Sequence, residues 1–415
     1  MRDKKIPSGW CHIRLGEFLT ELRERNRSSH NNGRPVLSVT NKPGFVISEE
    51  FFDRKVFSKD LTNYKVIHKG EFAYNPSRVN VGSIAHLKES EEGLLSPMYV
   101  VFRAKDGLDA SYLDYWISSQ RFRNLVKAST QGSVRDSLNF SALAEFPFEL
   151  PPKIEQRKIV KILFSIDAVI EHTQAINEQT KLLKKGLMQE LFTRGIPGRH
   201  KKFKKTEIGM IPEEWKVKTV GQLIILCQYG LSKPLTSNPQ GIPILRMNNL
   251  RDGEINAYDI KYVRLSPAEE QKYLLKHGDI LFNRTNSRDL VGKVAIYCDD
   301  RKMTFASYLL RLRVKSKEVD PIWLNYYFNT GEIQMRFRHI ATPGVSQSNI
   351  NAKVMQSLKF RIPPLEEQKK IADFINSINI KIKQGFVVKE QLSNLKSALM
   401  QVLLSGEVRV KREDG

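Results

Sequence analysis

The sequence contains little cysteine and no long apolar run. Its three cysteines, Cys11, Cys227 and Cys298, form no Cys-x-x-Cys pair and have no histidine at ligand spacing, so they support neither a disulfide framework nor a zinc site. No window reaches the roughly 18 consecutive apolar residues that a membrane span needs, and residues 1–10 are too polar for a signal peptide. We therefore expect a cytoplasmic protein with free thiols, no metal site and no membrane segment.

Motifs that bind cofactors or catalyse reactions are also scarce. The sequence has no Gly-x-Gly-x-x-Gly after a strand, no Walker phosphate loop, no Gly-x-Ser-x-Gly elbow and no Asn-Pro-Pro-aromatic run of the amino-methyltransferase kind. The pattern nearest to a nuclease is Asp252 with Asp259 and Lys261, an acidic pair plus lysine that can hold Mg²⁺. Such a pattern is far more often a surface loop, and we expect no cofactor in this chain.

Acidic residues are outnumbered by basic ones. The 415 residues include 67 Lys+Arg and 45 Asp+Glu, a formal net charge of +22 at pH 7. This length suggests two or three domains, and the charge favours a polyanionic partner, nucleic acid first. Residues 1–150 hold 22 basic and 18 acidic side chains, whereas residues 215–362 hold 23 and 12. If both regions bind DNA, the second should supply more of the salt-sensitive attraction.

The chain contains two diverged copies of one unit. Residues 151–159, Pro-Pro-Lys-Ile-Glu-Gln-Arg-Lys-Ile, match residues 363–371, Pro-Pro-Leu-Glu-Glu-Gln-Lys-Lys-Ile, at an offset of 212. Upstream the match is weaker: Ile-Pro at 6–7 with Trp10 corresponds to Ile-Pro at 211–212 with Trp215. The pattern is a variable block of about 150 residues followed by a better-preserved block of about 45, written twice.

The better-preserved blocks are predicted to be long helices that start at Pro152 and Pro364. In both, apolar residues alternate three and four positions apart, which is the seam of a coiled coil, with polar residues near the middle. Because a folded block separates the two helices, we expect them to pair antiparallel. The predicted seam comprises Ile159, Ile162, Ile166, Val169, Thr173, Ile176, Thr180, Leu183, Leu187 and Glu190, and Ile371, Phe374, Ile378, Lys381, Gly385, Val388, Leu392, Leu395, Leu399 and Val402.

The expected fold class is α/β, with two mixed α/β domains in a pseudo-twofold repeat separated by the two helices. Strands are predicted within 97–103, 291–297 and 309–314, and helices over 110–128 and 321–339. Residues 195–214 read as a basic linker, not as a packed element. The predicted parts are 1–152, a first globular domain; 153–194, the first helix; 195–214, the linker; 215–362, a second globular domain; and 363–405, the second helix.

Polar loops rich in Arg, Asn, Gln, Ser and Thr are candidate DNA-reading segments, because these side chains match base edges and phosphates. Any one such loop is more often simply solvated, but those at 75–80 and 283–288 lie at matching positions of the repeat. The candidates are Asn75, Ser77, Arg78, Asn80, Thr130, Gln131, Ser133 and Arg135 in the first copy, and Arg246, Asn248, Asn249, Arg251, Asn283, Arg284, Asn286, Arg288, Gln347 and Asn349 in the second.

The doubled Pro-Pro-x-x-Glu-Gln-x-x-Ile motif, each copy opening a long heptad helix after a divergent block, resembles the DNA-specificity subunit of type I restriction-modification systems. The resemblance covers essentially the whole chain. It implies that each variable block is a target-recognition domain reading one half of a bipartite site in double-stranded DNA, with the coiled coil as spacer. It also implies a non-catalytic subunit on which two methylation subunits dock.

The resemblance further implies that S-adenosylmethionine, ATP and Mg²⁺ belong to the partner methylation and restriction subunits. Two alternatives stay open: a coiled-coil scaffold whose domains bind another macromolecule, and a self-contained nuclease using Asp252, Asp259 and Lys261.

The Glu-Gln pairs at 155–156 and 367–368 also have two interpretations. They are either solvated helix-start residues or part of a surface that faces a methylation subunit or the opposing domain.

Overall fold

The structure, a computed structural model, describes residues 6–52, 56–130, 137–344 and 347–410. The chain divides into two compact units. Unit 1 comprises the described residues of Met1–Ala175 and Phe386–Gly415, and unit 2 comprises those of Ile176–Gly385. Among the described residues, no helix is long and apolar enough to cross a membrane.

The described residues of the first half of the chain form ten strands and five α-helices. The strands are β1 (Cys11–Arg14), β2 (Leu19–Leu22), β3 (Leu37–Val39), β4 (Phe45–Ile47), β5 (Lys65–His68), β6 (Phe72–Tyr74), β7 (Ile84–His86), β8 (Glu92–Leu95), β9 (Val100–Ala104) and β10 (Pro147–Leu150). The helices are α1 (Ser48–Phe52), α2 (Ala110–Ile117), α3 (Gln120–Thr130), α4 (Phe140–Ala144) and α5 (Lys153–Leu191).

The second half follows the same plan with additional short strands. These strands are β11 (Phe203–Thr206), β12 (Gly209–Pro212), β13 (Lys216–Thr219), β14 (Ile224–Tyr229), β15 (Ile242–Leu245), β16 (Leu250–Arg251), β17 (Glu254–Ile255), β18 (Lys261–Val263), β19 (Ile280–Asn283), β20 (Thr285–Asn286), β21 (Val294–Ile296), β22 (Thr304–Phe305), β23 (Leu309–Val314), β24 (Ser348–Asn349) and β25 (Lys359–Ile362). The helices are α6 (Val220–Leu223), α7 (Pro267–Tyr273), α8 (Pro321–Phe328), α9 (Gly331–His339), α10 (Ala352–Ser357) and α11 (Leu365–Leu403).

Each unit is built on a four-stranded antiparallel sheet of the same topology. The strand order is β2-β9-β6-β7 in unit 1 and β14-β23-β19-β21 in unit 2. In each copy, the strand just before the long helix pairs antiparallel with a strand near the start of the copy: β10 pairs with β1, and β25 pairs with β13. The repeated topology confirms the two mixed α/β domains and the internal repeat.

The helices predicted over 110–128 and 321–339 are each broken into two. In unit 1 the break falls between α2 and α3, where the hydroxyl of Ser119 donates to the carbonyl of Trp116 and accepts from the amide of Phe122. In unit 2 it falls between α8 and α9, at Asn329 and Thr330. Serine, threonine and asparagine compete for backbone hydrogen bonds, so they end one helix and start the next.

The apolar core of each unit joins its sheet to these helices and to both long helices. In unit 1, Ile159 and Leu163 of α5 belong to the same buried cluster as Leu403 of α11 and Trp116 of α2. In unit 2, Ile371 and Ile375 of α11 cluster with Leu191 of α5 and Trp323 of α8. The start of one long helix therefore packs against the end of the other in each unit, which confirms the antiparallel pairing.

The seam between the long helices differs from the predicted one in half of its positions. The predicted stripe through Ile159, Ile166, Thr173, Thr180 and Leu187, with its copy in α11, is buried or half-buried. The other predicted stripe lies outside the seam, since Val169, Ile176 and Leu183 are about half exposed or more. The residues one position later in the sequence are buried or half-buried and take their place in the seam. The observed seam is Ile159, Leu163, Ile166, Ile170, Thr173, Asn177, Thr180, Lys184, Leu187 and Leu191, and Ile371, Ile375, Ile378, Ile382, Gly385, Lys389, Leu392, Lys396, Leu399 and Leu403.

The prediction that residues 195–214 form an unpacked linker is wrong. Strands β11 and β12 pair there as an antiparallel hairpin, with Lys205 opposite Met210. Ile211 and the side chain of His200 are buried in unit 2. Ile211 and His200 attach the hairpin to the unit, although four exposed lysines lie in the same segment.

The repeated Glu-Gln pairs fasten each long helix to its globular part. The amide of Gln156 accepts from the backbone of Asp109 at 2.7 Å and donates to the carbonyls of Gly107 and Pro151. Gln368 does the same in unit 2, accepting from the backbone of Asp320 at 2.9 Å. Each glutamine side chain thus satisfies three backbone groups beside the helix start.

The neighbouring glutamates accept from a buried tryptophan. Trp10 donates its indole N–H to Glu155 at 3.0 Å, and Trp215 donates to Glu367 at 3.2 Å. Since all four Glu and Gln side chains are buried within their own units, neither helix-start solvation nor a partner-facing surface describes them. The two tryptophans are therefore structural residues of the repeat.

Candidate nucleic-acid interface

The candidate loop of unit 1 follows strand β6 and is held by its own first residue. Asn75 is mostly buried, and its side-chain oxygen accepts from the backbone N–H of Ser77 at 3.1 Å. Ser77, Arg78 and Asn80 are exposed. The amide of Leu138 donates to the carbonyl of Pro76, which attaches the loop to the segment before α4. The loop therefore presents an arginine and small polar groups from a fixed backbone.

Asn75 and Arg78 also line a cleft of about 540 Å³ in unit 1. The cleft is also lined by exposed apolar side chains, among them Phe51, Phe52 and Met98. An arginine beside exposed aromatic rings can combine hydrogen bonding with stacking on bases. The cleft thus brings two predicted DNA-binding residues together with exposed apolar side chains.

The second candidate stretch of unit 1 lies mostly outside the described residues. Thr130 is the last residue of α3. Gln131, Ser133 and Arg135 are not among the residues that the structure describes, so their predicted DNA contacts stay predictions.

In unit 2 the structure brings two candidate stretches together. Strand β20 pairs antiparallel with β24, so Thr285 lies opposite Asn349 and Asn286 lies opposite Ser348. The amide of Ile350 donates to the carbonyl of Arg284 at 2.8 Å. The loops at 283–288 and 347–349, which are far apart in sequence, therefore form one surface.

Arg284 is the central cation of this surface. Its guanidinium lies over the ring of Tyr229, 5.0 Å from the ring centre, and Tyr229 and Tyr308 are both about half exposed. Asn286 is half-buried, whereas Arg288 and Gln347 are exposed. Stacking on tyrosine restricts the guanidinium without using its hydrogen-bond donors. We refer to Tyr229, Arg284, Asn286 and Tyr308 as the Arg284 patch.

Two asparagine candidates for base contact are corrected by the structure. Asn249 is fully buried, and its amide donates to the carbonyls of Asn256 and Tyr258 at 2.9 Å each. Asn283 is also fully buried, and its side-chain oxygen accepts from the amide of Thr285. Both side chains organise loops inside unit 2 and are not exposed for contact with a base edge. Nearby, Asn248 and Arg251 remain exposed.

The acidic pair of the nuclease alternative is engaged in ion pairs. Asp259 lies 2.9 Å from Arg246 and 3.1 Å from Lys261, and hydrogen bonds from these two side chains lower the pKa of Asp259. Asp252 lies beside Arg251 and is almost fully exposed. Within the described ranges no cluster of His, Cys, Asp and Glu could hold a metal ion. Arg246, a candidate DNA contact, is occupied by Asp259 in the same way.

Sequence reasoning missed the aromatic side chains that accompany both arginines. Phe51 and Phe52 in unit 1 and Tyr229 in unit 2 are exposed beside candidate loops, but aromatic residues are usually core residues. An alternating strand pattern alone does not reveal which aromatic side chain faces solvent. Only the fold places Tyr229, at the end of β14, next to Arg284 in the loop after β19.

The internal repeat agrees with comparisons to known proteins. Residues 7–182 and 212–386 each match the type I restriction modification DNA specificity domain. The chain is 28% identical over 426 residues to the type I restriction enzyme MjaVIII specificity subunit of Methanocaldococcus jannaschii, covering 99% of this chain and 96% of that protein. It is 25% identical over 320 residues to the StySPI specificity subunit of Salmonella potsdam, covering 77% and 68%.

Solved structures share the fold. A chain from a structure of type I restriction-modification complex assembly aligns with a TM-score of 0.62 at 18% identity, covering 98% of this chain and all of that one. The HsdS subunit from Thermoanaerobacter tengcongensis aligns with a TM-score of 0.51 at 18% identity, covering 98% and 99%. Since the two family matches span most of the chain and coincide with its two structural copies, the chain belongs to the type I restriction modification DNA specificity domain family.

Proposed function

We propose that this chain is the sequence-reading subunit of a type I restriction-modification complex, with one recognition surface in each unit. The observation that carries the proposal is the doubled specificity domain, since its two copies coincide with two units of the same sheet topology. A chain with two different recognition surfaces reads a bipartite, asymmetric site. The net charge of +22 supplies the attraction to a polyanion.

In unit 1 the recognition surface contains Arg78 and the cleft beside it, and in unit 2 it contains the Arg284 patch. Arginine is suited to guanine edges and amide side chains to adenine, while the tyrosines and phenylalanines offer stacking surfaces. The two surfaces differ in sequence because the variable blocks differ. Each is therefore expected to read its own half-site.

The apolar stripe left outside the helix seam supports docking of methylation subunits. It consists of Val169, Val388 and Leu395 in unit 1, and of Ile176, Leu183 and Phe374 in unit 2, with exposed fractions of 44–60%. Heptad-spaced apolar side chains that remain exposed are typical of a surface that awaits a partner. Because each unit carries its own stripe, the expected number of methylation subunits is two.

On this proposal the chemistry belongs to the partners. Methylation subunits would bring S-adenosylmethionine and the methyl-transferring site, and restriction subunits would bring ATP, Mg²⁺ and the cutting site. This chain would contribute recognition alone. Purified and incubated with DNA and Mg²⁺, it should leave the DNA uncut, and cutting would instead favour the nuclease alternative.

Methylome mapping of the host with and without this gene tests the proposed function. The expected result is a bipartite methylated motif that disappears on deletion and returns on complementation. An identical set of methylated motifs in both strains would contradict the proposal. The mapped motif would also give the two half-sites and the spacer.

A further inference from the structure

The hairpin formed by β11 and β12 in unit 2 is outside the recognition surfaces described above. Its sequence around the first strand is Arg-His-Lys-Lys-Phe-Lys-Lys, residues 199–205. The side chains of Lys201, Lys202, Lys204 and Lys205 are all exposed. Within the part of the chain that the structure describes, none of these four ammonium groups forms an ion pair with a carboxylate. Four lysines without a carboxylate partner thus lie within five residues, and the ammonium group of Lys204 also donates to the backbone carbonyl of Glu213 at 2.6 Å.

The hairpin is held at its base. Ile211 is fully buried, and the ring of His200 lies 2.8 Å from the carboxylate of Glu367 and packs edge-on against Trp215. The amide of Glu213 donates to the carbonyl of Lys202, which extends the pairing beyond the strands. The lysines therefore project from an ordered ribbon attached to the core of unit 2.

Its tip is held as well. Glu207 in the turn forms a salt bridge of 2.6 Å with Lys359, at the start of β25. The hydroxyl of Thr206 donates to the carbonyl of Gly209, whose φ of +101° suits glycine in a tight turn. The lysines therefore lie on a hairpin that is attached at both its base and its tip, and not on a mobile loop.

The outer face of the ribbon combines charge with apolar surface. Side chains alternate between the two faces of a strand, so Phe203, Lys205 and Met210 share one face, with Lys205 directly opposite Met210. Phe203 is 41% exposed and Met210 is 55% exposed. Two exposed apolar side chains flanked by lysines can contact deoxyribose while the ammonium groups reach phosphates.

We propose that this hairpin is a sequence-independent DNA contact of unit 2, with Lys201, Lys202, Lys204 and Lys205 pairing with backbone phosphates. The inference rests on the proposed function, which supplies double-stranded DNA as the polyanion. An acidic protein surface is the less suitable partner. Lysine is depleted at protein–protein interfaces, and two apolar side chains are too few for the buried centre of such an interface.

The test is the salt dependence of DNA binding by the full-length chain. Each phosphate neutralised in B-DNA contributes about −0.9 to the slope of log affinity against log salt. Replacing all four lysines with glutamine should make the slope shallower by about 2 to 4, and K201Q/K202Q should give about half of that change. Replacing the four with arginine should restore the wild-type slope, because the charges are kept.

The matched control replaces four exposed lysines on the long helices, K153Q/K161Q/K185Q/K369Q. It changes the net charge equally, and its slope should stay within about 1 of the wild-type value. The methylated motif should be the same in the hairpin variants as in the wild type, since the hairpin reads no bases. Thermal unfolding of every variant confirms that the fold is retained.

Three results would overturn the assignment. A quadruple glutamine variant with the wild-type slope on a duplex that it still binds would remove the hairpin from the DNA interface and leave the proposed function standing. If the quadruple glutamine variant keeps the wild-type slope but associates more weakly with a co-expressed methylation subunit, the hairpin is a protein contact instead. No binding of any duplex by the wild-type chain would reject the proposed function together with the hairpin.

Discussion

A buried carboxylate at the start of each long helix has a different side-chain partner in each unit. Glu155 pairs with Arg409 through two bonds of 2.8 Å, and Arg409 also donates to the carbonyl of Ser8. Glu367 is instead within 2.8 Å of His200. In both units this partner comes from the segment that follows the opposite long helix, so this segment completes the unit that it enters.

Replacing Arg409 with glutamine should destabilise unit 1. A charged hydrogen bond to a buried carboxylate contributes about 1.5–3 kcal/mol, and the partial exposure of Arg409 favours the lower half of that range. Thermal unfolding at neutral pH should show a lower Tm for R409Q. The control is R199Q in unit 2, whose guanidinium lies 3.7 Å from Glu367 and should matter less. Equal Tm values for R409Q and the wild type would contradict the expected role.

This destabilisation should depend on pH with a defined sign. Burial raises the pKa of Glu155, but hydrogen bonds from Arg409 and Trp10 outweigh burial, and the net pKa is lowered. A lowered carboxyl pKa contributes stability above the pKa of the unfolded chain, near 4.3, and the contribution is lost as pH falls through the folded pKa. The Tm difference between wild type and R409Q should therefore shrink below about pH 4. A difference that grows on acidification would reject this account.

Arg284 and Arg78 provide a reciprocal test of base recognition. Arg284→Ala should relax recognition of one half-site, and Arg78→Ala should relax the other, at a cost of about 1–3 kcal/mol for the affected base. Methylome mapping of each variant measures both half-sites at once. Each variant serves as the control for the other. Loss of both half-sites in either variant would indicate misfolding and not lost base contact.

Among the elements, the long helices carry two neighbouring apolar stripes, and only one of them faces the other helix. The seam uses Ile170, Asn177 and Lys184, while the apolar Val169, Ile176 and Leu183 stay outside it. Lys184 loses hydration in the seam, and this burial lowers its pKa. A polar seam beside an exposed apolar stripe is consistent with helices that bind both each other and a partner.

Adjacent residues of α11 separate these two roles. Ile375 is buried in the seam, whereas Phe374 is 47% exposed in the stripe. Ile375→Ala should lower the free energy of unfolding by about 2–4 kcal/mol, and Phe374→Ala should change it by less than about 1 kcal/mol. Phe374→Ala should instead weaken co-purification with a methylation subunit. Strong destabilisation by Phe374→Ala with little effect of Ile375→Ala would restore the predicted seam.

Sequence could predict the existence and length of these helices but not the exact seam. Each helix starts directly after its predicted proline, because Pro152 and Pro364 favour a first turn. At some steps along the helix, two adjacent positions are both apolar, as with Val169 and Ile170, so periodicity does not choose between them. Periodicity favoured the more apolar stripe, but packing placed Asn177 and Lys184 inside. The same limit applied to the hairpin at 203–212, since Ile211 gives no local sign of its burial.

At the scale of the whole molecule, each long helix begins in one unit and ends in the other. Residues 153–175 of α5 belong to unit 1 and residues 176–191 to unit 2, while α11 runs the opposite way. DNA contact by the candidate loops stays a prediction, but the structure brings two of these loops together. Asn286 and Asn349 are brought together by tertiary pairing of β20 with β24, which sequence spacing does not encode.

Helix length is expected to set the length of the spacer between the two DNA half-sites. A test of this expectation must keep the seam residues of the two helices in register. A heptad inserted after Thr180 alone would displace the seam of α5 against that of α11, because Asn177 packs directly on Gly385. A matched heptad after Lys381, at the same level of the antiparallel pair, keeps both seams in register. The double insertion adds about 10 Å of paired helix, close to three base pairs of B-DNA. Methylome mapping should then show unchanged half-sites with a longer spacer, whereas an unchanged spacer with full methylation would reject helix length as its determinant.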